Sequence, residues 1–237
     1  MSNDLFHFRG FTVQQHESLM KVHTDGVLLA IFSSEHQPQA KSFVEIGCGL
    51  GYVSLLLAKA GAKRILSIDN NPLAIQMTQL NIEQNALSST IEARCISIQQ
   101  WVNENTEKFD VIVSNPPYFE NSFPSPYEAK QASRHDLDNW KHWFIKASMH
   151  LTEEGEIHLI YPFLASYKLE THFFGQNLFL HRYWIIHSLH KNPPILRVMA
   201  FGRKKCKNPL KKIITIRENE HNYTDEYLKL VEDYLFL

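Results

Sequence analysis

An α/β fold built on a mainly parallel sheet is predicted by three observations. Apolar runs of strand length alternate with helical stretches from residue 41 to 162. The first of these runs turns into a helix through three closely spaced glycines. After about residue 178 the helical signals stop and three strands follow in a row. Alternation of this kind places helices on both faces of a parallel sheet.

The elements follow in order. FHFRGFTV (6–13) reads as a small hairpin turning at Gly10, and TDGVLLAIF (24–32) as a helix entered at Thr24. KSFVEI (41–46) is a strand, and GYVSLLLAKA (51–60) a helix stopped by Gly61. RILSID (64–69) is a strand; the helix over 72–85 starts with Pro72 after Asn71. TIEARC (90–95), IQQWVNE (98–104) and FDVIV (109–113) read as strand, short helix and strand. An aromatic-rich helix over 136–150 precedes a strand at 155–162. Trp140, Trp143 and Phe144 are expected on its core face. Strands at 178–189, 194–201 and 212–217 are expected to add antiparallel pairing at the C-terminal edge. A last helix over 224–235 begins at Thr224 with two acids in its first turn. No linker is visible, so one domain is expected over 1–237, with 1–40 as an N-terminal hairpin and helix extension and 41–237 as the core.

The charge balance, 24 basic against 25 acidic residues, gives no attractive field for a polyanion, so a nucleic-acid partner needs a local basic patch. Cys48, Cys95 and Cys206 stand apart, and the thirteen histidines are scattered, which argues against a disulfide framework and against a metal site. The first residues, MSNDLFHFRG, lack the apolar stretch of a signal peptide. No run approaches the ~18 apolar residues of a membrane span. A soluble, cytoplasmic protein is the expectation; the sequence leaves the oligomeric state open, with a monomer favoured.

In FVEIGCGLGYVS, Gly47, Gly49 and Gly51 occupy a sharp strand-to-helix turn, where glycine lets a ligand approach the backbone. Asp69 ends the next strand, eighteen residues beyond Gly51, where a carboxylate can accept from both hydroxyls of a ribose. The spacing departs from the dinucleotide G-x-G-x-x-G, and Glu45 sits just ahead of the turn, where a pyrophosphate would be repelled. Carboxylates at 45 and 69 suit a ligand with a ribose and a positive charge, and S-adenosylmethionine has both.

SNPPYF (114–119) leaves a later strand on the same carboxyl edge, where ligands gather in open α/β sheets. Its chemistry fits methylation of a planar NH₂ group, whose lone pair is delocalised and whose attack requires a move toward tetrahedral geometry. The Asn115 side-chain oxygen and the Pro116 carbonyl are two acceptors for its two N–H bonds. Pro116 and Pro117 stiffen the turn so that the acceptors are pre-organised. Tyr118 offers a flat face for stacking a base.

In this order FVEIGCGLG, SIDNNP and SNPPYF resemble the class I S-adenosylmethionine-dependent methyltransferases that act on amino nitrogens. FHFRGFTVQQ, MKVHTDGVLLA, SIQQW, ASRHDLD and NYTDEYLKLVEDYLFL narrow the resemblance to the tRNA adenine-N6 methyltransferases that act beside the anticodon of a valine tRNA. It runs from about residue 6 to the end. The resemblance implies a Rossmann-like, mainly parallel seven-stranded sheet flanked by helices, with antiparallel strands at the C-terminal edge. It places Thr24 and Asp25 near the cofactor's methionine end. It also places Ser97, where the family has an acid, and the Ile98 backbone at the cofactor's adenine. Two other readings are an enzyme methylating the glutamine amide of a release factor and a non-catalytic RNA-binding module of the same fold. The first usually carries a helical N-terminal domain, and only about forty residues precede the first sheet strand here.

For the RNA, RKKCKNPLKK (203–212) holds six basic residues in ten. Arg203, Lys204, Lys205 and Lys207, with Lys130 and Arg134, are the expected phosphate contacts. The polar, proline-rich loop 119–135 is the expected lid over a flipped base.

Overall fold

The computed structural model describes residues 4–36, 39–116 and 134–237, with residues 36 and 134–139 described by their backbone alone. A two-stranded hairpin, β1 (Leu5–Phe8) and β2 (Phe11–Gln14), precedes α1 (Thr24–His36). The core follows as β3 (Ser42–Ile46), α2 (Tyr52–Lys59), β4 (Arg64–Asp69), α3 (Pro72–Gln84), β5 (Ile91–Cys95), α4 (Ile98–Glu104) and β6 (Phe109–Ser114). Then come α5 (Arg134–Ala147), β7 (Leu151–Pro162), α6 (Phe163–Phe174), β8 (Phe179–Leu189), β9 (Pro194–Gly202), β10 (Leu210–Arg217) and α7 (Asp225–Val231).

One large sheet has the order β10-β8-β9-β7-β6-β3-β4-β5. Its pairings are parallel from β5 through β7, and β9 alone is reversed, antiparallel to both β7 and β8. The expected antiparallel pairing at the C-terminal edge is therefore present. The count of seven is corrected to eight among the described residues, because β10 adds itself parallel to β8. Two apolar layers flank the sheet. One joins α1, α2 and α7 to the hairpin. The other lies under α4, α5 and α6.

Local chemistry sets the element ends. The Asn71 side chain caps α3 by accepting from the Leu73 N–H at 3.0 Å, with Pro72 next to it. Gly61 closes α2 at φ +106°. Two extents differ from expectation. β7 starts at Leu151, four residues before Gly155, because Leu151 already pairs with Phe109; the register then shifts across the polar TEEG stretch and resumes where Glu156 pairs with Val111. The helix α6, absent from the sequence reading, lacks a side-chain cap and follows Pro162 directly. On the α5 face Trp140 packs edge-on against Phe144 in the core, whereas Trp143 turns outward under Lys146.

The hairpin is fixed to α3 by two asparagines one turn apart. Asn81 accepts from the Gln14 N–H (2.7 Å) and donates to the Gln14 carbonyl (3.1 Å). Asn85 repeats the exchange at Thr12 (3.1 and 2.8 Å). Asn81 also donates to the Leu50 carbonyl at 2.9 Å, so the hairpin is tied directly to the glycine turn.

A buried polar network crosses β7 and β8. Glu156 accepts from His158 (3.0 Å), His181 (2.8 Å) and Arg182 (3.1 Å), and His158 also meets Ser33 (2.9 Å). His181 stands between two acceptors, the Glu156 carboxylate and the Lys204 carbonyl (2.7 Å), which favours the imidazolium. The Glu156 bond raises the His181 pKa, and burial lowers that of His158. A raised histidine adds stability below its unfolded pKa and loses it as pH climbs through the folded value. A lowered one loses its contribution on acidification. His181→Asn is therefore expected to destabilise the protein more at pH 5.5 than at pH 8. Denaturant melts at the two pH values check this; an equal loss at both would show that His181 is uncharged in the fold.

Candidate active site

The carboxyl ends of β3, β4, β5 and β6 lie side by side, and the turns leaving them converge. Ile46 is paired with Ile68, and Asp69 with Cys95. Backbone bonds strap the turns together: Gly47 N–H to Ile68 O (2.8 Å) and Ile96 N–H to Asp69 O (3.0 Å). Ser114, which opens SNPPYF, donates its hydroxyl to the Ile46 carbonyl at 2.7 Å. This residue was missed in the sequence reading. It joins the asparagine turn to the glycine turn, so the two expected halves of the site are mechanically one.

Gly47, Gly49 and Gly51 have φ of +74°, +56° and +75°. Among the described residues nothing lies within 4 Å of a Cβ built on Gly47 or Gly49, so that face of the turn is bare backbone open to a ligand. Gly51 differs. A Cβ there would meet the Thr78 methyl at 2.7 Å, because α3 packs tightly on the turn and the Thr78 hydroxyl donates to the Gly49 carbonyl at 3.0 Å. Cys48 between them is buried, and burial pushes its thiol up, leaving a packing residue and no nucleophile.

Asp69 reaches into the same space. Its two oxygens accept from the Gly49 N–H (3.1 Å) and the Asn71 N–H (2.9 Å). A carboxylate has about four lone-pair sites, so capacity remains for ribose hydroxyls. Burial raises its pKa, and the bonds from Asn71 and Gly49 oppose that rise.

Glu45 is corrected. It is 4 % exposed and points into the fold, where Ser54 donates to it from its hydroxyl and its N–H (3.0 Å), and Ser54 meets Ser67 at 2.7 Å. Burial pushes its carboxyl up to about 8. It pins α2 to β3 and β4, so the carboxyl expected to face a cofactor is turned to the fold's own hydroxyls and amide.

Ser97 caps α4, accepting from the Gln100 N–H at 3.1 Å, and Ser97 and Ile98 are half-buried beside the end of β5. Asn115 is half-buried and Pro116 buried directly after β6. Thr24 and Asp25 form the first turn of α1. Pro117, Tyr118, Lys130 and residues 119–133 of the expected lid lie outside the described residues, as does the Arg134 side chain.

The basic loop is placed elsewhere. Since β9 is reversed, its end at Gly202 pairs with Glu156, near the start of β7, and β10 begins beside Arg182 at the same end. Residues 203–209 therefore sit on the amino edge of the sheet, opposite the turns above. Lys204 is ion-paired there with Glu154 and with Glu153 (3.2 Å). The sequence shows the charge density, but the edge depends on strand direction.

A cradle of bare glycine backbone, an acceptor for a ribose and an asparagine–proline turn on one sheet edge suit a nucleoside cofactor that hands a group to a planar amine. In class this is a methyltransferase. The chain belongs to the methyltransferase small domain family, whose model matches residues 24–182. A Bacteroides fragilis protein named tRNA1(Val) (adenine(37)-N6)-methyltransferase is 30% identical over 99% of this chain and 98% of its own length. A Haemophilus influenzae protein of the same name is 27% identical over 97% of each. Among solved structures, an Agrobacterium tumefaciens protein described as a predicted O-methyltransferase superposes with a TM-score of 0.68 at 16% identity, over 89% of this chain and 96% of that one. The last likeness speaks to fold alone. The methyl donor is S-adenosylmethionine, and the open faces of Gly47 and Gly49 beside Asp69 fit it. Among the described residues no group of histidine, cysteine and acid side chains could hold a metal ion, and no helix is long and apolar enough to cross a membrane.

Proposed function

We propose that the protein transfers a methyl group from S-adenosylmethionine to the N6 amino group of an adenine in tRNA, beside the anticodon of a valine tRNA. The observation that carries this reading is the Ser114–Ile46 strap, which holds Asn115 and Pro116 against the turn that cradles the cofactor. Asp69 accepts from the ribose, Gly47, Gly49 and Gly51 give it a close backbone, and Thr24 and Asp25 lie at the methionine end. Ser97 and the Ile98 backbone meet the cofactor's adenine. Asn115 and the Pro116 carbonyl accept from the substrate amino group as it becomes tetrahedral, Pro117 stiffens the turn, and Tyr118 stacks on the base. The proton leaves after methyl transfer, so no base of shifted pKa is required, and placement of donor and nitrogen supplies most of the rate.

Residues 1–237 are read as one domain, since a single apolar layer runs from Phe8 to Val231. A cytoplasmic enzyme follows from a tRNA substrate. Arg203, Lys205 and Lys207 reach phosphates only if the tRNA extends from the carboxyl edge to the amino edge; Lys204 is already neutralised by its acids. Lys130 and Arg134 are proposed closer to the base.

Incubating the protein with methyl-labelled S-adenosylmethionine, total tRNA and the soluble proteins of a cell extract tests the substrate class. Label is expected in tRNA. Label in protein alone would replace this reading with glutamine methylation.

A further inference from the structure

Two tyrosines from distant parts of the chain close on the same short segment, the entry to α1. Tyr52 follows Gly51 at the start of α2 and is 7 % exposed. Its hydroxyl lies against the backbone of His23 and Gly26. The ring lies so close to Gly26 that a Cβ there would collide with the phenol, which explains the glycine in HTDG. Phe8 of the hairpin stacks on the ring at 6.5 Å. Tyr227 comes from α7, close to the C-terminus, and is 2 % exposed. The Tyr227 hydroxyl faces the Thr24 side chain, and the two hydroxyls interact.

Tyr227 is itself held firmly. Thr224 accepts from the Tyr227 N–H (3.1 Å) and donates to the Thr215 carbonyl of β10 (2.5 Å), and its own N–H reaches Ile216 (3.1 Å). Tyr223 stacks on Tyr227 at 5.4 Å and accepts from Arg217 of β10 at 2.9 Å. The chain thus runs from the eighth strand through α7 to Thr24.

We propose that Tyr52 and Tyr227 are positioning residues that fix Thr24–Gly26 at the methyl-donor pocket, and that β10 and α7 serve as the buttress for this contact. This rests on the proposed placement of Thr24 and Asp25 at the cofactor's methionine end. Neither tyrosine touches the reacting atoms. Their effect is to remove freedom from a helix entry that would otherwise be ordered at the cofactor's expense.

The test uses the full chain with Tyr52→Phe, Tyr227→Phe, Thr24→Ser and Thr24→Val, since phenylalanine keeps the ring packing and removes one hydroxyl. S-adenosylmethionine binding is measured by calorimetry, with tRNA turnover and thermal melting alongside. Each phenylalanine variant is expected to raise the donor Kd and KM about 3- to 10-fold, the scale of one buried hydrogen bond. At saturating donor kcat should stay within about twofold of wild type. Thr24→Ser should retain affinity. Thr24→Val with Tyr227→Phe should weaken binding no more than either change alone. Donor affinity unchanged in both phenylalanine variants, or independent multiplying effects of Thr24→Val and Tyr227→Phe, would overturn the positioning role. Wild-type protein with no affinity for S-adenosylmethionine would instead overturn the cofactor reading beneath it.

Discussion

Replacing Asn115 by alanine is expected to lower single-turnover methyl transfer by about 10²–10³-fold, by analogy with loss of one pre-organised donor from an oxyanion hole. Binding of tRNA and of S-adenosylmethionine should hardly change. The asymmetry has a physical source. A planar amino group makes its strongest demand on an acceptor when the nitrogen pyramidalises and its N–H bonds become more acidic. An interaction strengthened only at that point is lost from turnover and spared in binding. The proposed site keeps that acceptor still. Asn115 follows β6 immediately, the buried Pro116 restrains the chain, and Ser114 is bonded to the carbonyl that begins the cofactor turn. Single-turnover kinetics at saturating donor and tRNA check this. Near wild-type turnover from a folded Asn115→Ala protein would remove the asparagine from the chemistry.

Asp69→Ala is expected to weaken S-adenosylmethionine by about 1.5–3 kcal/mol, roughly 10- to 100-fold, because two ribose hydroxyls lose a charged acceptor. The substitution also strips the acceptor from the Gly49 and Asn71 N–H groups, so the turn itself loosens. Asp69→Asn separates the two effects: it keeps an acceptor oxygen and loses the charge, and should fall between wild type and alanine. The pKa direction adds a pH signature. Burial raises the Asp69 pKa, so its charge is lost as pH falls at a higher pH than for an ordinary aspartate. Donor affinity should therefore decline early on acidification in the wild type and show a flatter profile in Asp69→Asn. Calorimetric titrations across pH provide both readings, and identical affinities for all three proteins would place the ribose elsewhere.

Sequence reading was strongest where chemistry is local. The strands β3 to β6 are short apolar runs bounded by glycine or by helix caps, and the glycine turn, Asp69 and Asn115 fall at strand ends by simple counting. It was weaker wherever a third element decides the outcome. Glu45 beside the glycines looks like a ligand-facing charge, and only the approach of Ser54 and Ser67 turns it inward. The basic loop at 203–209 has an obvious charge, yet its edge follows from the reversal of β9. The parallel direction of β10 has no local signal at all, since it depends on crossing β8. Helix α6 was lost because Pro162 ends a strand and begins the helix without a capping side chain. The couplings between parts were also illegible. Asn81, Ser114, Tyr52 and Tyr227 each connect segments far apart in sequence, and their residue types are common in unremarkable helices and turns.

The central claim concerns which atom receives the methyl group. It is tested most directly by digesting tRNA after incubation with S-adenosylmethionine and either wild-type or Asn115→Ala protein, then identifying the modified nucleoside by mass spectrometry. The account predicts N6-methyladenosine with the wild type, at an adenine beside the anticodon, and almost none with the variant over the same time. Methylation of a ring nitrogen or of a ribose hydroxyl by the wild type would contradict it, because a pair of acceptors aimed at an amino group has no part in those reactions; methylation of a cytosine or guanine amino group would overturn the choice of adenine.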